Sequence, residues 1–431
     1  MLVEDAPLQT PLTHRIDEEL RYVGLKEYQR TGGYEGLISA LRMSGDDVIE
    51  KISAANLRGR GGAGFSTGFK WSCVPKGDDA PATKYLLANA DEMEPGTFKD
   101  RVIMEADPHQ LIEGMAIAAY AIGANKAFIF LRGEYHVAAE RLQRAIDEAY
   151  LNGFLGNYIL GTPFCLELHL HTSAGRYICG EETALISALE GGRANPRAKP
   201  PFPQVSGLFG KPTVVNNVET LCNVPHIMRN GVQWYQSLGI TEDNGTKIYG
   251  VSGRVKNPGL WELPMGTSVG EILYEHAGGM KSGLNLKGFL PGGGSTDFLT
   301  DAHLDLPMDY ESIMKAGSRM GTGTMIVLDD QNCPVGMVLN LIRFFSHESC
   351  GWCTPCRDGL PWIQQILEGF EQGQGRYEDL DTLDELTDAL WIGKTFCALA
   401  PGAVEPLKSA LKYFRDDFEQ HLQQGCCPYH S

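Results

Sequence analysis

Apolar positions along the chain change their spacing twice, and each change marks a different kind of structure. Residues 84–90, 127–131 and 166–171 are short apolar runs of strand length. Between them, Leu111, Met115, Ala118, Ala119 and Ile122 recur at helical spacing, and Val137, Leu142, Ala145, Ile146 and Ala149 repeat that pattern. Strands joined through helices imply a parallel sheet, because parallel neighbours need a crossover connection. From residue 245 the spacing shifts. Strand-like runs at 247–253, 260–264, 288–290 and 325–328, with one helical stretch at 268–277, predict a small α+β unit of β-grasp (ubiquitin-like) type. After residue 334 the periodicity is helical throughout, at 335–346, 362–370, 377–391 and 404–422. Before the first strand, an extended arm leads into short helices at 28–40 and 46–55. The predicted fold is therefore α/β: an arm with short helices (1–55), a Rossmann-like parallel-sheet domain (56–240), a β-grasp domain (241–333) and a C-terminal helical bundle (334–431).

Charge narrows the functional classes. A formal net charge of −17 repels phosphate backbones, so nucleic-acid binding is not expected and any anionic ligand needs locally placed cations. The most apolar long span, 111–131, contains Glu113, Asn125 and Lys126, which argues against a membrane helix. Residues 1–19 carry five acids and no apolar stretch, so no secretory or transit signal is read there. The 51 glycines predict many tight turns, and 11 cysteines in such a chain point to metal or redox use over a disulfide framework.

The cysteine pattern is specific. Cys350, Cys353 and Cys356 stand three residues apart, and Cys397 lies downstream in the next helical connection but one. Four thiolates are the usual ligand set of an iron-sulfur cubane. Gly351 lets the loop curl, and Pro355 is expected to keep it out of a helix until the third ligand is placed. A structural zinc site, which usually shows two separated pairs, and a cluster of buried free cysteines are the competing readings. No role is read for Cys426 and Cys427.

Other motifs gather near strand ends. Residues 57–71 hold five glycines, Gly59, Gly61, Gly62, Gly64 and Gly68, interleaved with Arg58, Arg60, Phe65 and Lys70, which resembles a phosphate cradle without matching a dinucleotide or Walker fingerprint. Asn89, Asp91, Glu92 and Glu94 follow the first strand, at the sheet edge where open α/β folds bind ligands. Asn216, Asn217, Glu219 and Thr220 follow the apolar pair Val214 and Val215. Tyr177, Gly180, Glu181 and Glu182 open a helix, where the acids suit its positive end. Lys199 can neutralise a diphosphate and Phe202 can stack on a flat ring. The glycine run in residues 291–295 is read as a turn, because no strong helix signal follows it.

Taken together, residues 59–65, 89–96, 177–183, 216–220 and 348–357 resemble the NADH- and flavin-binding subunit of respiratory complex I, over nearly the whole chain. The resemblance implies FMN surrounded by Gly62, Asn89, Asp91, Gly180, Glu181, Asn216, Asn217 and Thr220. It implies NADH as substrate, contacted by Phe65, Lys70, Glu94, Glu182, Lys199 and Phe202, and a [4Fe-4S] cluster on the four cysteines. NADH gives up electrons in pairs and a cubane takes one, so a flavin between them is required and no side chain need act as acid or base. The implied partners are a thioredoxin-like [2Fe-2S] subunit and a large multi-cluster iron-sulfur subunit, with the chain on the cytoplasmic face of the plasma membrane. The diaphorase subunit of an NAD-linked hydrogenase or formate dehydrogenase shares these motifs and is the nearest alternative; a zinc-stabilised structural protein is the alternative of another class. Cys73 stands where some family members place a ring beside the adenine.

Overall fold

The computed structural model of the chain describes residues 9–77 and 80–429, so the first eight residues of the N-terminal arm lie outside the described residues. Four parallel strands, β1 (Tyr85–Ala90), β2 (Lys126–Leu131), β3 (Glu167–Thr172) and β4 (Thr213–Asn217), form a sheet in the order β3-β2-β1-β4. The apolar pair Val214 and Val215 belongs to this fourth strand, in register with Leu86 and Leu87.

Helix Pro108–Ile122 packs beneath the sheet with nearly every residue buried, which its alanine-rich, apolar composition permits. Gly114 allows it to meet helix Val218–Asn230 at close range: a Cβ there would lie 2.1 Å from the Leu221 carbonyl oxygen. The buried Glu113 is fully used. It accepts hydrogen bonds from the Tyr28 hydroxyl (2.5 Å) and from the Tyr34 and Leu37 N–H groups (2.8 and 2.9 Å), pinning the N-terminal helices to the core.

The second sheet, β5 (Thr246–Ser252), β6 (Gly259–Pro264), β7 (Leu286–Leu290) and β8 (Thr324–Asp329), has the order β6-β5-β8-β7. An antiparallel hairpin is joined to a second antiparallel pair through the parallel contact of β5 with β8, which is the β-grasp arrangement. A buried charge network ties it to the first sheet. The Lys247 ammonium on β5 and that of Lys99 each bond Glu219, at 2.6 and 2.8 Å.

Five helices, Pro334–Glu348, Thr354–Glu371, Tyr377–Ala389, Leu399–Tyr413 and Arg415–Gln424, make the C-terminal bundle. Their apolar faces meet through Ile342, Phe345, Ile363, Leu367, Val404 and Phe418.

Three local expectations are corrected. The helix expected at 28–40 is two, Leu25–Arg30 and Glu35–Ala40. They break because Gly32 takes φ +87° and the Tyr28 ring fills the space a side chain at Gly33 would need. The helix expected at 404–422 breaks at Phe414, whose ring leaves the helical path to pack edge-on against Phe298 at 5.2 Å. Pro355 does not hold its loop out of a helix. It sits in the first turn of Thr354–Glu371, where a missing N–H costs nothing, and Cys356 is already helical. Among the described residues, no helix is long and apolar enough to cross a membrane.

Candidate functional site

The C-terminal ends of β1 and β4 open onto a cleft of about 270 Å³. Its floor is built from the strand ends. Asn89 lies opposite Asn217 in the parallel register, and just past it the chain turns through Asp91, Met93 and Glu94. One wall is the glycine loop, Gly61, Gly62 and Ala63. A second is Tyr177, Gly180 and Glu181, at the start of helix Glu182–Leu189. The third comes from the β-grasp unit, through Gly292, Ser295, Arg319, Gly321 and Thr322.

Hydrogen bonds hold these walls in place. The Asn89 amide donates to the Gly180 carbonyl (2.9 Å), joining floor to wall. Glu94 accepts from the Tyr177 hydroxyl and the Ser295 N–H, both at 2.7 Å, and so ties the first domain to the second. Asn217 caps helix Val218–Asn230 through its oxygen (3.3 Å) and donates its amide to Asp100 at 2.6 Å. Glu181 caps its own helix by accepting the N–H groups of Thr183 and Ala184, each at 2.9 Å.

Electrostatics single out Asp91. One carboxylate oxygen accepts from the Ser173 hydroxyl at 2.9 Å; the other is buried with no hydrogen-bond partner among the described residues. Burial pushes its carboxyl up to about 7. Such an orphaned acceptor at a cleft wall is what a ligand hydroxyl or ring N–H satisfies. Glu92 is also raised by burial to about 7. Its oxygens, however, are occupied by the N–H groups of Asp100 and Arg101 (2.8 and 3.1 Å) at the start of helix Lys99–Ala106.

A pH dependence follows from Asp91. In the unfolded chain its proton leaves near pH 4, about three units below the folded value, so the folded state binds more protons in between. Stability of the ligand-free chain is therefore expected to fall as pH rises from about 4 through 7, by at most about 1.4 kcal/mol per unit from this group. Asp91→Asn should flatten that segment in denaturant titrations at successive pH values, with Glu92, Glu262 and Asp297, each also raised by burial to about 7, left to supply the remainder. Parallel curves for the two proteins would sink the assignment.

Several residues expected in the site stand behind it. Arg60 turns its guanidinium away, buried against the Tyr235 hydroxyl (3.0 Å) and the Asn244 carbonyl (2.9 Å). It supplies no charge to the loop, and Arg58 is likewise paired with Asp243 at 2.9 Å. Thr220 accepts the Arg60 N–H (2.8 Å) and Asn216 accepts the Trp71 indole N–H (2.9 Å); both brace the loop from the rear. Gly59 and Gly64 shape its base, with the Gly59 carbonyl accepting the Tyr310 hydroxyl at 2.6 Å. Phe65 and Phe202 are about half exposed, outside the cleft lining. Lys70 and Lys199 both reach Glu182, at 3.0 and 2.7 Å. Against its burial, these two ammonium groups hold the Glu182 carboxyl below its ordinary range.

Other lining residues went unread in the sequence. Lys99, Asp100 and Thr97 follow the acidic turn without a distinguishing pattern, and the walls from Arg319 to Thr322 lie far away in sequence. Residues 291–295 do form a turn, yet Gly292 and Ser295 line the cleft; only their glycine content pointed there.

The four cysteines surround a small second cavity together with Ser349, Trp352 and Phe396. Cys353 precedes helix Thr354–Glu371, and the Ser349 hydroxyl lies 3.2 Å from the Cys356 sulfur. Cys397 and Leu399 border both this cavity and the large cleft.

Both the sequence and the fold match known proteins. Residues 52–226 match the Nuo51 FMN-binding domain, 248–296 the SLBB domain, and 336–421 the NADH-ubiquinone oxidoreductase-F iron-sulfur binding region. The NADH-quinone oxidoreductase subunit lettered F in Salmonella typhimurium is 59% identical over 97% of this chain and 94% of its own length. Its counterpart of the same name in Mycobacterium tuberculosis is 49% identical over 100% of this chain and 97% of its own. Among solved structures, an NAD+-reducing [NiFe]-hydrogenase in the H2-reduced state superposes with a TM-score of 0.81 at 36% identity, covering 95% of this chain and 68% of that one. With identity this high over nearly the full length of both partners, the chain belongs to the NADH-quinone oxidoreductase-F family.

Proposed function

We propose that this chain is the NADH-oxidising subunit of an NADH:quinone oxidoreductase, with FMN in the cleft and a [4Fe-4S] cluster on Cys350, Cys353, Cys356 and Cys397. The observation that carries the reading is the shared wall: Cys397 faces the cysteine cavity on one side and the cleft on the other. When bound, FMN supplies the conversion of a two-electron donor into single electrons, which is what a cubane can take. The residues fit it. Asp91 has a buried oxygen awaiting a donor, and a Cβ at Gly180 would meet nothing within 4 Å, so that wall leaves room for a large flat group.

In this reading Gly62, Asn89, Asp91, Gly180 and Asn217 hold FMN, while Glu181 caps the adjoining helix and Asn216 and Thr220 brace the glycine loop from behind. Lys70 and Lys199 meet the NADH diphosphate and exchange their contact with Glu182 for it. Phe65 and Phe202 offer exposed ring faces for stacking, and the Glu94–Tyr177 pair closes the far side. No side chain acts as acid or base; the chain positions two groups and excludes water.

The relatives are named as one lettered member of an oxidoreductase, which supports a place in a multi-subunit assembly. We assign its neighbours as a thioredoxin-like [2Fe-2S] subunit and a large multi-cluster subunit. The assembly would hold the chain at the inner face of the plasma membrane. Exposed Trp352 and Phe396, edge to face at 6.3 Å beside the cysteine cavity, offer an apolar surface for onward contact. The working units are residues 1–55, 56–240, 241–333 and 334–431. A hydrogenase diaphorase role is disfavoured by the gap between 59% and 36% identity, and the zinc-scaffold role by the match to an iron-sulfur region.

Anaerobic NADH should bleach the flavin absorbance of the loaded chain and then bring up the electron-spin signal of a reduced cubane. A loaded chain whose yellow colour is unchanged by NADH overturns the reading.

A further inference from the structure

The tail thiol Cys427 and the helix-capping Cys333 take no part in the cluster. We propose that Cys333, Glu371, His421 and Cys427 form a second metal site, binding a single zinc ion apart from the iron-sulfur cysteines.

The four groups come from four separate stretches of the bundle. Cys333 caps the start of helix Pro334–Glu348, its sulfur accepting the Gly336 N–H at 3.2 Å. Glu371 ends helix Thr354–Glu371, and His421 lies in the last turn of Arg415–Gln424. Cys427 follows in the tail. One ligand atom from each lies within 4.8 Å of all the others.

The three edges among Cys333, Glu371 and His421 fit one face of a tetrahedron, with the Cys427 sulfur within 4.8 Å of each as its apex. The Cys333 sulfur is 3.4 Å from Glu371 Oε1 and 3.4 Å from His421 Nε2, and those two are 3.3 Å apart. Zinc bonds of about 2.0–2.3 Å at tetrahedral angles place ligand atoms about 3.3–3.8 Å from one another. Two sulfurs, one imidazole and one carboxylate suit zinc; thiolates exclude the oxygen-seeking calcium and magnesium.

The surroundings orient the ligands. His421 is fully buried, and its Nδ1–H donates to the Asp417 carbonyl at 2.7 Å, which leaves Nε2 to face the group. Gly425, at φ +64°, turns the tail back over the bundle, passing so close to Gly373 that a Cβ there would meet the Gly425 carbonyl oxygen at 1.9 Å. Beyond Cys427, the Tyr429 hydroxyl bonds Asp417 and stands 2.5 Å from the Lys287 ammonium. Cys427 is thus presented, nearly buried, by a tail held on both sides. Bound there, zinc staples the last helix and tail to the first two helices of the bundle.

The test uses the holoprotein, purified anaerobically from zinc-sufficient cells with its full cluster iron. Elemental analysis should give about one zinc per chain in addition to that iron, and absorption at the zinc edge should fit two sulfur and two lighter neighbours. Cys427→Ala should lower zinc at least tenfold while cluster iron and NADH oxidation stay at the parent level; His421→Gln should do the same. Should the buried histidine variant not fold, the tail variant decides. Iron-complete protein without zinc, zinc that survives Cys427→Ala, or a Cys333–Cys427 disulfide in the anaerobic preparation would each overturn the proposal.

Discussion

Gly180→Val yields a folded, cluster-bearing chain that has lost its flavin and no longer oxidises NADH. Gly180 lines the cleft, its φ is outside the left-handed region, and an added Cβ meets nothing within 4 Å. The chain itself therefore tolerates valine. The ligand does not, because the two methyl groups occupy the volume in which a ring system must lie. Overfilling a well-packed site costs about 1–3 kcal/mol and occasionally more, which is about a five- to 150-fold loss of affinity or greater. The measurement is the flavin-to-protein ratio after desalting, with iron content as the control for folding. Flavin retained at the parent ratio would remove this wall from the site. The same change at Gly61 is less informative, since its Cβ would press to 2.9 Å from that of Asn217, whose amide bonds Asp100. That variant mixes damage to the loop with damage to the floor.

Cys353→Ala is expected to do the converse. Alanine offers no thiolate, so the cubane loses one of four ligands, and its electron-spin signal and onward electron transfer should disappear. Cys353 immediately precedes helix Thr354–Glu371, is not among the cleft-lining residues, and its side chain makes no capping bond. Flavin should stay bound, and NADH oxidation with ferricyanide as acceptor should keep at least about half its rate, because that acceptor takes electrons before the cluster is needed. Flavin and cluster vanishing together from a folded variant would mean that the two sites are one structural unit. Cys397 is the informative contrast. Because it borders the cleft as well, its loss should disturb flavin binding more than the loss of Cys353.

Much of this protein was legible in the linear chain because the relevant signals are local. Strand and helix periods in the first sheet domain, the alternation that demands parallel strands, and the three closely spaced thiols are all set by neighbours a few residues apart. Polar residues just after apolar runs, such as Asn89, Asp91 and Asn217, could be placed at the cleft for the same reason: a strand end has a direction, and its next residue leaves the sheet there. Helix interruptions at Gly32 and Phe414 were not legible, because the first turns on how the Tyr28 ring folds back over Gly33 and the second on Phe298, far away in sequence.

What the order of residues determined by itself is the kind of chemistry: a parallel-sheet edge carrying acids and amides, and a cysteine set with cubane spacing. The tertiary structure decided which side chains face that chemistry. It turned Arg60 inward, brought the glycine turn of the β-grasp unit against Glu94, and gathered Cys333, Glu371, His421 and Cys427 from opposite ends of the bundle. The reason is physical. A backbone period is written in sequence neighbours, whereas the direction of a side chain is chosen by whatever distant surface packs against it, and that surface exists only once the chain has closed.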